Sequence, residues 1–387
     1  MAKLKLGISD PRCPFVFLSL TAIAIAVATF IEKFIDRPTA LDLIYHSAVM
    51  IAFLTLTAIS SLIILVKQTI WKRSVLMLMH LSFLFIMAGA LITHLCSSEG
   101  KAYLVKDVIE FRYAEEGTQL LKNLPFELTL LEETDTSAKL TITTDGKQEE
   151  ACIYVNSPLD KDGYRMFITS ANTKNHVVTL TINHDPWGSA VTYLGYFILL
   201  LSILIYIIGR IHKMANADAS AKKKVAIATI LFIVADLAYC MRWYATDEPL
   251  PPVLRTSWLA VHVSIIVIAY LMFIVMAISS IVKLAKHSTD TRFETNLLKI
   301  AVPLLAAGIF IGAMWANQSW GSYWQWDPKE SWALITLMLY CIPLHSSLLG
   351  IKGKALHLFL AIAFISVLIT YLGVNFWLGG IHSYMNI

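Results

Sequence analysis

The chain has 387 residues, of which 57% are hydrophobic and only 15% charged, with a formal net charge of +4. Soluble globular domains carry about 25% charged residues, so the composition excludes an ordinary water-soluble enzyme and suits lipid. Five scattered cysteines, Cys13, Cys96, Cys152, Cys240 and Cys341, form no C-x-x-C, no zinc spacing and no C-x-x-C-H, which excludes a zinc-stapled fold and a chain that carries covalent haem itself.

A membrane-crossing helix needs roughly 20 mostly apolar residues. Runs of that kind lie near Pro14–Ile31, Leu43–Val66, Val75–Leu95, Ala190–Ile208, Val225–Met241, Trp258–Ile281, Ile300–Trp315, Trp332–Leu349 and Leu356–Phe376. The first run has no small-residue cleavage motif after it and is expected to be a retained helix. Lys and Arg gather in alternate connections, at Lys3, Lys5 and Arg12, at Lys67, Lys72 and Arg73, at Arg210 to Lys224, at Lys283 to Lys299 and at Lys352 and Lys354. The positive-inside rule makes those connections cytoplasmic, with the amino terminus inside and the carboxyl terminus outside. The expected fold class is therefore an all-α polytopic membrane protein of about nine transmembrane helices.

One long polar stretch interrupts the spans and falls outside. Phe126–Leu131, Leu140–Thr144 and Val177–Ile182 alternate with period two, which predicts strands with one buried face. Asp145-Gly146 and Asp162-Gly163 are turn signals between them. The domain reading is transmembrane helices over 1–96, a small extracytoplasmic β domain over 97–187, a fourth helix over 188–210, a basic cytoplasmic linker over 211–224 and a five-helix half over 225–387.

The segment from Trp315 to Trp332, on an outer connection, holds five tryptophans within 18 residues: Trp315, Trp320, Trp324, Trp326 and Trp332. Interfacial aromatic belts spread their rings over many helix ends. A cluster in one loop, with Gly321, Asp327 and Glu330 among the rings, offers wide area and offset stacking to a flat apolar macrocycle. Asp327, before Pro328, is expected to order the loop, and Glu330 to cap the helix that follows.

Histidines sort by depth. His262 lies near the outer start of its span and His382 beyond the outer end of the last, on the face of the tryptophan loop. Two imidazoles beside an aromatic platform suit the axial positions of haem iron. His80 lies roughly 8 Å and His345 roughly 6 Å inside the cytoplasmic ends of their spans, at 1.5 Å rise per residue. Ionisable residues within a span are costly and usually functional, and two at one depth suit a bis-histidine b-type haem or, alternatively, a pair of helix–helix hydrogen bonds. His46 and His94, near outer span ends, read as interfacial residues before alternative ligands.

The run Trp320-Gly-Ser-Tyr-Trp-Gln-Trp-Asp-Pro-Lys-Glu330 resembles the WWD motif of the haem-handling family that includes CcsA, CcmC and CcmF, with Ser331 where that family more often has threonine. Trp258–His262, Leu339–His345 and Gly373–Tyr384 resemble the histidine-bearing segments of CcsA. His80–Ile92 and Asp185–Gly188 resemble CcsB (ResB), although the β domain is shorter than is usual there. The chain thus resembles a compact CcsB–CcsA (ResB/ResC) fusion, a System II cytochrome c synthase. The resemblance implies haem b as substrate and bound ligand, held by His80 and His345 and then by His262 and His382. It implies Trp315, Trp320, Gly321, Trp324, Trp326 and Asp327 around the outer site; because the loop's carboxylates would repel anionic propionates, Arg242, Arg255 or Lys329 are the better propionate partners. Implied partners are apocytochrome c with its C-x-x-C-H motif and a thioredoxin-like thiol–disulfide reductant, in a bacterial cytoplasmic membrane, with no nucleic acid. A haem exporter without ligation activity is the alternative. A b-type quinol oxidoreductase is disfavoured, because the histidines are spread over separate helices and the tryptophan loop would be unexplained.

Overall fold

The computed structural model describes residues 10–68, 72–118, 120–217 and 256–380. The expected span Val225–Met241, together with Arg242, Arg255 and His382, lies outside these residues. Among them, seven helices are long and apolar enough to cross a membrane. They are α1 (Cys13–Phe34), α3 (Ala48–Lys67), α4 (Ser74–Cys96), α5 (Gly188–Ala217), α6 (Ser257–Ala285), α7 (Arg292–Trp320) and α10 (Lys354–Leu368), the last running on as a π-helical segment, Ile369–Leu378. Three short helices complete the set: α2 (Arg37–Ala40), α8 (Pro328–Leu344) and α9 (Ser346–Leu349).

Two elements differ from expectation for local reasons. The second span begins at Ala48, not near Leu43, because Asp36 accepts the Thr39 backbone N–H and starts α2, which a π-turn, Leu41–Tyr45, extends. The run Trp332–Leu349 is not one span. Helix α8 is 17 residues long, about 26 Å at 1.5 Å per residue, shorter than a ~30 Å hydrocarbon core. It ends with Pro343 in its last turn and His345 as its C-cap, and α9 stops at left-handed Gly350.

Strands β1 (Ser98–Val105), β2 (Ile109–Glu115), β3 (Leu121–Glu133), β4 (Ser137–Thr144), β5 (Lys147–Tyr154), β6 (Leu159–Lys161), β7 (Tyr164–Asn172) and β8 (Val177–His184) form one antiparallel sheet in the order 5-4-3-2-1-8-7-6. The sheet curls into a barrel-like shape, with β5 returning against β7. Alternate residues such as Leu128, Leu130, Leu140, Ile142, Leu180 and Ile182 fill its interior, as a period-two strand requires. Asp145-Gly146 and Asp162-Gly163 both have positive φ, the geometry of tight hairpin turns.

Helices α4 and α5, which carry the chain into and out of this sheet, pack backbone to backbone. A Cβ on Gly89 would lie 2.7 Å from the Thr192 backbone nitrogen, and one on Gly188 2.5 Å from that of Thr93. Small residues at such crossings let dispersion contacts replace a hydrophobic drive that lipid does not provide. Helix α7 is the bundle's centre: two thirds of its apolar window is buried, among Leu199, Phe273, Tyr340 and Leu360 of its neighbours. A second apolar cluster joins the halves of the chain, with Ile25 and Ala28 of α1 and Met50 of α3 against Trp332, Ile335, Val374 and Leu378.

Candidate functional site

The bundle has a β-domain end, from which α4 leaves for the sheet, and a far end. At the far end His80 of α4 and His345 at the end of α8 meet. Their ring centroids are 6.0 Å apart and the planes cross at 76°. Each ring holds its Nδ1 against a carbonyl one turn earlier, Leu76 O at 2.7 Å for His80 and Cys341 O at 2.8 Å for His345. A carbonyl can only accept, so both Nδ1 atoms carry the proton and both Nε2 lone pairs are left for a metal. Phe15 of α1 packs on His345 with centroids 5.2 Å apart. Three separate elements therefore build this pair, which lies 265 residues apart in sequence.

At the β-domain end, His262 of α6 holds its Nδ1 2.7 Å from Gly308 O on α7. Gly312 makes room for the imidazole, since a Cβ there would lie 2.5 Å from Cε1. A cavity of about 440 Å³ opens on this face between Tyr193, Thr256, Trp258, Met314, Trp315 and Ser319. The Trp315 indole N–H and the Ser319 hydroxyl are buried without a protein partner among the described residues, which is unusual for such groups. Unpaired donors lining a cavity suit an acceptor-bearing ligand.

The tryptophan loop is braced from three sides and does not present its rings as one sheet. Trp315 meets Trp320 edge-on at 5.0 Å, and Trp324 meets Trp326 edge-on at 5.8 Å. Trp326 sits at positive φ, 58°, and one of its faces is taken by Tyr45, stacked at 4.6 Å. A bulky residue in that backbone region costs on the order of 1–2 kcal/mol. The Tyr45 hydroxyl also lies 3.3 Å from Ser331 Oγ, and burial holds it above its ordinary range, so it remains a neutral phenol. Arg37 donates to Gln325 O at 2.8 Å, and the Trp332 indole donates to Thr29 at 3.2 Å. From the sheet, Asn183 donates to Gly321 O at 2.7 Å. From the last helix, Asn375 accepts from Lys329 at 2.9 Å.

Asp327 and Glu330 form the cap their spacing suggests. Asp327 accepts the Lys329 N–H, and Glu330 accepts the N–H groups of Gln325 at 2.9 Å and Asp327 at 3.3 Å. Asp327 also has Gly380 against it, where a Cβ would lie 2.4 Å from Oδ1. These carboxylates order the loop before any ligand arrives.

A family model for cytochrome C assembly proteins matches residues 187–382. The chain belongs to that family. Two of its relatives are the cytochrome c biogenesis protein CcsA of Chlamydomonas reinhardtii, 40% identical over 152 residues, and Protein NrfI of Wolinella succinogenes, 41% identical over 152 residues. The matched part is 35% of this chain in both cases, and the chain spans 43% of that CcsA and 17% of NrfI. CcsA of Mesostigma viride is 33% identical over 211 residues, 42% of this chain and 69% of that relative.

In this cytochrome c assembly protein the matched region holds His262, the tryptophan loop and His345. Sequence reasoning missed the residues that brace the loop. Tyr45, Arg37 and Thr29 lie far upstream of it, and nothing in their local sequence pointed to the loop. His46 and His94, expected as interfacial residues before alternative ligands, have their ring centroids 6.1 Å apart.

Proposed function

We propose that the chain is a System II holocytochrome c synthase, a haem lyase in which CcsB-like and CcsA-like halves are joined, and that haem b is its substrate. His80 and His345 hold the iron at the far end. His262 and His382 hold it at the β-domain end, over the WWD-type tryptophan loop. Each thiol of an apocytochrome C-x-x-C-H motif then adds across one haem vinyl group. A C–S bond forms, the vinyl double bond becomes single, and the thiol proton ends on the adjacent carbon. The addition is redox-neutral, and a thioredoxin-like partner keeps the acceptor cysteines reduced.

The observation that carries this reading is the His80–His345 pair. Two metal–nitrogen bonds of about 2 Å each, plus the inner radius of each imidazole, put the ring centroids of a shared metal roughly 6 Å apart, and the observed distance is 6.0 Å. With both Nδ1 protons tied to carbonyls, the tautomer and ring direction are set before binding. The fit at the other end rests on the unpaired donors of Trp315 and Ser319, which suit haem propionates. What the enzyme contributes is proximity and orientation, for which effective molarities of about 10⁵ M and above are known. Family membership supports a role in cytochrome c biogenesis.

Production of the full chain beside a C-x-x-C-H acceptor, with gel detection of covalent haem on the acceptor, tests the proposal. Covalent haem that disappears with His262→Ala is the expected result. Haem bound by the membrane protein with none ever attached to the acceptor leaves only the haem-delivery alternative.

A further inference from the structure

His46 caps the π-turn before α3, and His94 lies in the last turn of α4, so both stand at the β-domain end of the bundle. Their ring centroids are 6.1 Å apart, matching the 6.0 Å of His80 and His345. Both side chains are exposed; the Asp42 carboxylate lies near His46, and the apolar side chains of Leu43, Val49 and Leu95 are each more than half exposed beside the pair. His46 directly follows Tyr45, whose ring lies on Trp326 of the tryptophan loop. The pair thus adjoins the tryptophan loop and has exposed apolar side chains beside it.

The donor set decides what could bind. Among the described residues, no three His, Cys, Asp or Glu side chains gather as a metal site. A structural zinc needs four protein ligands and a catalytic one three, so two imidazoles alone are a poor site for a bare ion. They are a complete protein ligand set for a metal that brings its own four equatorial nitrogens, which is haem iron. The flat apolar macrocycle would then lie against the leucine and valine side chains.

We propose that His46 and His94 form a further bis-imidazole haem site, at the β-domain end of the bundle beside the tryptophan loop. The proposal rests on the haem reading above only for the identity of the cargo. Titration of haemin into the full-length protein in detergent tests it, with the low-spin bands and the number of haems bound as readouts. Four proteins are compared: wild type, the variant His46→Ala/His94→Ala, a variant with His80, His262, His345 and His382 all changed to alanine, and the combination of all six changes.

The fourfold variant is expected to keep one low-spin haem, and the sixfold variant to show no low-spin bands, because no axial imidazole remains at these sites. His94→Met in the fourfold background should keep the haem and shift its reduced bands, which marks a change of axial ligand. A fourfold variant that binds no haem while wild type does would overturn this site and leave the synthase reading standing. So would haem that survives all six changes, which would be adventitious. Wild type that never binds haem would remove both. If the fourfold variant does not fold, the first two proteins decide, since an unchanged haem number in His46→Ala/His94→Ala also overturns the site.

Discussion

At the scale of single residues, close packing and burial set where the chain gives up stability. Gly321 ends α7 in the left-handed region at φ 87°, and a Cβ there would lie 2.3 Å from the Phe167 ring of β7. Gly321→Ala should therefore lower the midpoint of thermal unfolding in detergent, by an amount corresponding to about 1–3 kcal/mol. Phe167→Ala in the same chain should recover part of it, because only the clash is relieved. Glu99, just beyond the end of α4, is a second case. Burial, and then the neighbouring Glu116, push its carboxyl up to about 7. An acid whose folded-state value is raised destabilises the native state once it must ionise, so stability is expected to fall as pH rises from about 4.5 to about 7. Glu99→Gln should flatten that part of a melting-temperature profile, and an identical slope in the variant would show that another group is responsible.

At the scale of elements, the tryptophan loop is held by parts of the chain that precede it by almost 300 residues. Tyr45→Ala removes both the stack on Trp326 and the contact with Ser331. Tyr45→Phe removes only the second. The alanine variant should cost about 1–2 kcal/mol more than the phenylalanine variant, and it should also raise the solvent quenching of tryptophan fluorescence. Equal effects would mean that the stack contributes nothing. Thr29→Val, which deprives the Trp332 indole of its acceptor, should cost about 1–2 kcal/mol by the same reasoning. This bracing was not legible in the sequence. Hydropathy and charge report depth along the membrane normal, which is why His80 and His345 could be matched to one level. They carry no information on which helices are neighbours in the plane. Tyr45 against Trp326, Thr29 against Trp332 and His46 against His94 are all lateral contacts. The break in the Trp332–Leu349 run had a readable signal in Pro343 and Gly350, but length and apolarity together outweighed it. The sheet was easier, because period-two alternation and the two Asp-Gly turns are local.

At the scale of the whole molecule, the two halves form one machine whose parts cannot be assigned separately. The far-end pair takes His80 from the first half and His345 from the second. The loop at the other end is clamped by α2, by the sheet and by the π-helical end of the last helix through Arg37, Asn183 and Asn375. π-Helical segments recur at functional sites, and this one leads directly to the chain's final residues, where His382 stands. In the proposed function, His80 of α4 and His345 of α8 hold the iron of one haem. The most direct test is the visible absorption spectrum of the purified full-length protein, reduced and oxidised, beside His80→Ala/His345→Ala. Sharp low-spin bands in wild type that lose one haem equivalent in the double variant, with the remainder bound at the other end, are the expected result. A wild-type protein that stays free of haem when produced with haem in excess, or a double variant with an unchanged spectrum and haem number, would contradict it.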